Sequence, residues 1–293
     1  MDKINFYVDE VSVAIELGIA ENFPENAKIL IAAIDDVARL DISDVFFNTD
    51  FYETPIGKSS LYAMLFKEEV SPAIRDLLVQ FQISIGKAKT FQSTAISDHG
   101  KTALKNNKIG GLISLSKAIP EWWDENLMEF ISKGEQAQKF IRKLFLNLNL
   151  PLPFFSSYSS SMFPEIHFHT PIENIKNIGI EYTESIKPFI EHLSYLNDEA
   201  RVDFRGKLTN HEIISKAKIS ISPENSKTHK DKAAMKERTI KIANKDIVCE
   251  WHSKLEGHRG RIYFYPRLHP DENVKKIVKG KLIVGLIANH LKY

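Results

Sequence analysis

The chain has 293 residues, 43% of them hydrophobic, with a single cysteine. This length and composition fit a globular protein of two domains or one large one, and one cysteine excludes an internal disulfide or a cysteine-rich zinc site. No apolar run approaches the roughly 18 residues of a membrane span, and the start, MDKINFYVDEV, lacks a secretory-leader pattern, so we expect no membrane contact and a cytoplasmic location.

Net charge is only +1, but it is unevenly spread. Arg201 to Tyr293 carries 21 Lys+Arg against 10 Asp+Glu, while Met1 to Ala200 carries 18 against 28. Such asymmetry points to a nucleic-acid partner for the basic part, or to an acidic half that attracts and covers a basic one.

In chain order, VSVAIELGIA reads as strand or helix, and Ala27–Leu40 has helical spacing with Asp35 and Asp36 on its polar side. A strand over VFF precedes a loop. Ser60–Gln82 reads as one or two helices interrupted at Pro72, which suits a first helical turn. Phe91–Asn107 is polar and reads as a loop, Ile109–Leu115 as a short strand, and Lys133–Asn149 as a helix. Leu150–Pro164 holds three prolines and a run of serines and is the strongest boundary signal. It separates an acidic mixed α/β domain, residues 1–150, from a basic α+β domain, residues 165–293, built on an antiparallel sheet packed by helices. The expected fold class is α+β.

Beyond the boundary, His167 and His169 share a strand face at a spacing that can bind metal, but no third ligand lies nearby, so no cofactor is expected. Ile172–Asn197 reads as helical, divided at Pro188. Glu199–Leu208 reads as strand or loop, and Asn210–Ala217 as a helix with an Asn cap. ISISPENSKTHKDKAAMKER reads as an exposed Lys-rich loop, either plainly solvated or touching phosphates through Lys227, Lys230 and Lys232. Arg238 opens a strand-rich tail.

The densest chemistry lies in Ile247–Tyr265. Strand alternation puts Glu250, His252 and Lys254 on one face, joined after the turn by Arg261 and Tyr263, with Cys249, Trp251, Ile262 and Phe264 forming core on the other. Gly257 and Gly260 suit a turn with positive φ. Leu282–Ala288 is apolar on both faces, which marks a central strand ending near His290. Such a face suits phosphodiester chemistry. His252 or His290 moves protons near neutral pH, Lys254, Arg259 and Arg261 hold phosphate, and Tyr263 orients a phosphate or stacks on a base. A plain solvated face, with Glu250 paired across to Lys254 or Arg261, uses the same residues.

The basic hairpin ending in RIYFY, with the final KLIVGLIANHL, resembles the C-terminal half of RelE-type messenger-RNA interferases, part of a barnase-and-colicin-like group of metal-independent ribonuclease toxins. The resemblance implies catalytic roles for Lys254, Arg261, Tyr263 and one of His252 or His290. The tail also resembles that of uncharacterised bacterial proteins of mobile or anti-phage islands, through Trp251–Lys254, Arg261–Phe264 and Gly285–Leu291, which implies a defence role.

No GxxxxGK[ST], GxGxxG, HExxH or GxSxG is present, which argues against P-loop NTPases, Rossmann dehydrogenases, zincins and α/β-hydrolases. Three readings follow. The first is a ribonuclease-like effector whose acidic half regulates it or binds a protein partner, with RNA as the favoured substrate. The second is a non-catalytic nucleic-acid binding or sensing module. The third is a metal-dependent nuclease using Asp9, Asp35, Asp36, Asp50 and Asp98, as in PIN-like nucleases.

Overall fold

A computed structural model describes residues 3–18, 22–56, 59–66, 71–95, 97–116 and 118–291. Residues 57–58 and 67–70, inside the loop and helix expected there, and residues 1–2 of the leader reading lie outside the described residues. The fold is α+β, in two compact units, Met1–Leu148 and Asn149–Tyr293. Among the described residues no helix is long and apolar enough to cross a membrane.

The first unit runs β1 (Ile4–Val8), α1 (Glu10–Gly18), α2 (Phe23–Ala38), β2 (Ser43–Asn48), α3 (Leu61–Leu65), α4 (Pro72–Ile85), β3 (Lys89–Phe91), α5 (His99–Asn107), β4 (Gly110–Ile113), β5 (Met128–Ile131) and α6 (Gly134–Asn147). Its five strands are all parallel, in the order β3-β2-β1-β4-β5. Parallel strands need crossovers, and the central strands β1 and β4 are buried along almost their whole length. Phe6 meets Phe140 of α6 on one face, and the next residue, Tyr7, packs with Leu104 of α5 on the other. The expected loop over Phe91–Asn107 is therefore corrected. Its second half is helix α5, seated by Gly100 and Leu104 at i and i+4, a stripe too short to stand out in a polar segment.

The second unit holds α7 (Leu152–Met162), β6 (Ile166–Phe168), α8 (Tyr182–Asp198), α9 (Ala200–Arg205), α10 (Asn210–Lys216), β7 (Ile221–Pro223), α11 (Ser226–Lys230), α12 (Lys232–Glu237), β8 (Thr239–Ile242), β9 (Lys245–Val248), β10 (Trp251–Lys254), β11 (Arg261–Tyr265), α13 (Glu272–Val278) and β12 (Leu282–Ala288). Its main sheet has the order β6-β12-β11-β10-β7, antiparallel except where β12 meets β6. β8 and β9 form a separate ribbon, which packs with α13 on the Tyr263 and Ile283 side. Trp251 and Phe264 face the other way, edge-on to Phe204 of α9.

Several expectations need correction. The Pro/Ser-rich boundary is not irregular. It forms α7, with Pro153 in the first turn and Phe155, Ser159 and Met162 buried at helical spacing. Pro188 does not divide α8, because Ser185, Phe189, Leu193 and Leu196 keep one buried stripe across it. Residues 200–205 are helix, held by buried Ala200 and Phe204. α10 is capped by Thr209, whose hydroxyl accepts the Glu212 N–H while the Glu212 carboxylate accepts the Thr209 N–H. The Lys-rich loop is two short helices capped by Asn225 and Asp231. The strand expected over Ile247–Lys254 breaks at Cys249–Glu250, between β9 of the ribbon and β10 of the main sheet.

Candidate functional site

The hairpin register is Trp251 with Phe264, His252 with Tyr263, Ser253 with Ile262 and Lys254 with Arg261. Alternation therefore places His252, Lys254, Arg261 and Tyr263 on one face, as expected. On the other side of β10, strand β7 pairs Ser222 with His252. A cavity of about 290 Å³ opens there, lined by Ser222, Glu224, Arg238, His252, Lys254 and Tyr263, with Arg261, His258 and His290 also on its wall. This is the low end of small-molecule pockets, roughly 300–1,000 Å³, enough for one phosphate and its adjoining sugar rather than a length of strand.

Glu224 anchors the site, and sequence reading missed it. It follows β7 by one residue, and its N–H donates 2.7 Å to the Glu250 carbonyl, which extends the strand pairing. Its carboxylate, 5% exposed, accepts 2.7 Å from Arg238 Nε and lies 3.3 Å from His252 Nδ1. Burial raises this carboxyl, but the contacts with His252 and Arg238 outweigh burial and hold it down at about 2. It is therefore ionised throughout the neutral range. His252 Nε2 lies 3.2 Å from the Ser222 hydroxyl. The carboxylate meets Nδ1 as a charge contact and completes no hydrogen bond with it, and a negative charge on that side favours the Nδ1–H tautomer with Nε2 as acceptor.

The cations differ in how far they are committed. Arg238, 1% exposed, also donates to the Ala234 carbonyl at 2.8 Å and lies over the Tyr263 ring. Arg261, 3% exposed, donates to the carbonyls of Glu256, Gly257, Arg259 and Gly260, which ties down the hairpin turn. The Lys254 ammonium, by contrast, has no hydrogen bond or ion pair to any described residue, and the residue is half-buried in the wall. His258 and His290 are exposed at the cavity, and His290 Nδ1 meets the Leu291 carbonyl at 2.7 Å.

Four expected roles change. Glu250 is not the carboxylate of this face. The chain bends before it, and it is exposed and paired with His229 at 3.8 Å. Tyr263, 1% exposed, is floor rather than a stacking platform. Burial raises its phenol above the ordinary range, and the hydroxyl accepts the Leu291 N–H at 3.4 Å. Arg259 turns to Glu256 at 2.8 Å and to the Gly179 carbonyl. Of the two turn glycines, only Gly260 has positive φ, at 67°. Lys227, Lys230 and Lys232 are exposed on α11 and α12, close in sequence to the wall residues Asn225 and Arg238. Burial pushes the Cys249 thiol up to about 12, so it is not a nucleophile.

A larger groove of about 630 Å³ lies by Glu165, Asn197 and Arg205, but Arg201 there pairs with Glu165 and Arg205 donates to the Gly280 carbonyl. In the first unit, Asp35 pairs with Lys87, Asp36 with Arg39, and Asp50 heads the turn Phe51–Glu53, so the five expected aspartates do not gather. Asp9 sits at the carboxyl end of β1, the switch point where open parallel sheets commonly take ligands. It accepts from the Ser12 N–H and the Ser114 hydroxyl, and Lys101 bridges it at 3.5 Å to Asp98 at 3.3 Å. Its neighbour Glu10 accepts the N–H groups of His99 and Gly100. Among the described residues no group of three His, Cys, Asp or Glu is arranged to hold a metal, the His167 and His169 pair included. No family model, curated protein or solved structure matches this chain, so the reading of the site rests on its own geometry.

Proposed function

We propose that the cavity of the second unit is the working site of a metal-independent ribonuclease-like effector of a bacterial toxin or anti-phage defence system. The observation that carries the reading is His252, held between the Glu224 carboxylate and the Ser222 hydroxyl in a cavity whose remaining charge is cationic. The Glu224 charge beside Nδ1 favours the Nδ1–H tautomer, so Nε2 is the atom that takes the proton of an attacking hydroxyl. Lys254 supplies uncommitted positive charge to the non-bridging phosphate oxygens. His290 or His258, at the cavity mouth, protonates the leaving oxygen. Arg238, Arg261 and Tyr263 position this machinery. The toxin or defence setting rests on the resemblance of the tail alone, and the acidic first part of the chain is the region we assign to a protein partner.

The test incubates the purified protein with labelled RNA, with and without EDTA. We expect cleavage that EDTA leaves unchanged, reduced about 100-fold or more by His252→Ala and about tenfold by Lys254→Ala. Cleavage that survives both substitutions, or that EDTA abolishes, overturns the reading. Salt-sensitive RNA binding without any product would assign the cavity to recognition instead.

A further inference from the structure

We infer that the cavity carries its own nucleophile, Ser222, and that its substrate class is therefore phosphodiesters with or without a 2′-hydroxyl, DNA included. The inference rests on the reading of the cavity as a phosphodiester site. Ser222 Oγ lies 3.2 Å from His252 Nε2, and His252 Nδ1 lies 3.3 Å from Glu224 Oε1. Hydroxyl, imidazole and carboxylate thus follow one another in the order that activates a serine on unrelated folds, the first contact a hydrogen bond and the second a charge contact.

The backbone sets this line. Ser222 and His252 are register partners on adjacent antiparallel strands, and Glu224, two residues beyond Ser222, falls on the same side of the chain. Arg238 fixes the far end by donating 2.7 Å to the same carboxylate oxygen that meets His252. Ser222 is half-buried and lines the cavity wall. Lys254, two residues after His252 on the same strand face, supplies an ammonium for the phosphorane.

The chemistry balances with water as the only co-reactant. A lone pair of Ser222 Oγ forms the bond to phosphorus, and the hydroxyl proton moves to His252 Nε2. The bond from phosphorus to one strand oxygen breaks with its electron pair, and His290 or His258 gives that oxygen a proton and regains one from the His252 imidazolium through solvent. Water then attacks the phosphoserine and loses a proton to His252. Ser222 Oγ departs and recovers that proton.

The test offers the full-length protein an RNA oligonucleotide and the same sequence methylated at every 2′-oxygen, and separately diisopropyl fluorophosphate. We expect both strands to be cleaved. Ser222→Ala should lower both rates at least about 100-fold while its circular dichroism matches the parent. The fluorophosphate should leave one adduct, on the Ser222 peptide, which is lost in His252→Ala. The adduct is read on the unsubstituted protein, so it decides the matter even if Ser222→Ala fails to fold. Cleavage of RNA by Ser222→Ala at the parent rate, with the methylated strand intact, overturns Ser222 as nucleophile and leaves the ribonuclease reading standing. No cleavage of either strand and no adduct overturns both.

Discussion

Each unit contains a buried carboxylate cluster of similar makeup, and the two balance their charge differently. In the first, Asp9 is 1% exposed and is answered by Ser12, Ser114 and Lys101. The Lys101 ammonium also reaches Asp98, so the cation of that cluster is committed from two sides. In the second, Glu224 is answered as fully, by Arg238 and His252, but the Lys254 ammonium stands in the same cavity wall without a partner among the described residues. A buried ion pair alone is weak evidence of function, since breaking one is costly wherever it lies. Uncommitted charge beside open space is the more telling feature.

Removing the answered groups should cost stability in that order. Glu224→Ala removes the carboxylate that faces the buried Arg238 guanidinium, and we expect about 3–5 kcal/mol lost, read as a lower denaturant midpoint of the second unit. A parent-like midpoint would mean that Arg238 finds another partner. Acid should then separate the units by sign. The His192 imidazole is held by burial at about 4 instead of 6.5, so the stability it contributes is complete above pH 6.5 and lost as pH falls through 4. That loss is about 3 kcal/mol. Glu224, near 2 against an ordinary 4.5, adds a later loss as pH falls from 4.5 toward 2. Water in the open cavity screens it, so we expect about 2 kcal/mol. Glu10 works the other way. Burial first, and Asp9 beside it, raise its carboxyl above 4.5 despite the N–H groups it accepts, so its contribution is present below 4.5 and lost as pH rises. Hydrogen exchange followed from pH 7 to 4 should show protection falling in the second unit before the first, and His192→Leu should flatten that fall.

Smaller effects sharpen the contrast. Both amide atoms of Asn48, 1% exposed at the carboxyl end of β2, are buried without a hydrogen-bond partner. Asn48→Leu removes that desolvation cost and should raise stability by about 1–2 kcal/mol, seen in thermal melts. Lys254→Ala should leave stability within about 0.5 kcal/mol, because it breaks no pairing. It should still reduce the salt slope of RNA binding by about 1. A marked drop in melting temperature would show that Lys254 holds structure rather than ligand.

The alternation of β10 and β11 was readable in advance, and so was the grouping of His252, Lys254, Arg261 and Tyr263, because period-2 spacing needs only local sequence. Three features were not. Glu224 and Ser222 reach His252 through a pairing across 30 residues of chain, and nothing in ISPEN marks it as a partner of WHSK. The change of sheet at Cys249–Glu250 carries no proline or glycine. The fully parallel sheet of the first unit was hidden because strands such as Lys89–Phe91 are too short to show a period. Arg261 looked like a phosphate ligand for the opposite reason: its position was legible, but the four carbonyls that engage it lie in a turn whose path only coordinates give.

The bound state of Arg261 has a consequence for discrimination. A guanidinium whose fork is already filled cannot gauge the flat, two-pronged outline of a phosphate, which leaves the task to a single ammonium on a jointed stem. Lys254 senses charge and little else. Thiophosphate and sulfate esters of the right size should therefore compete for the cavity nearly as well as phosphate esters do.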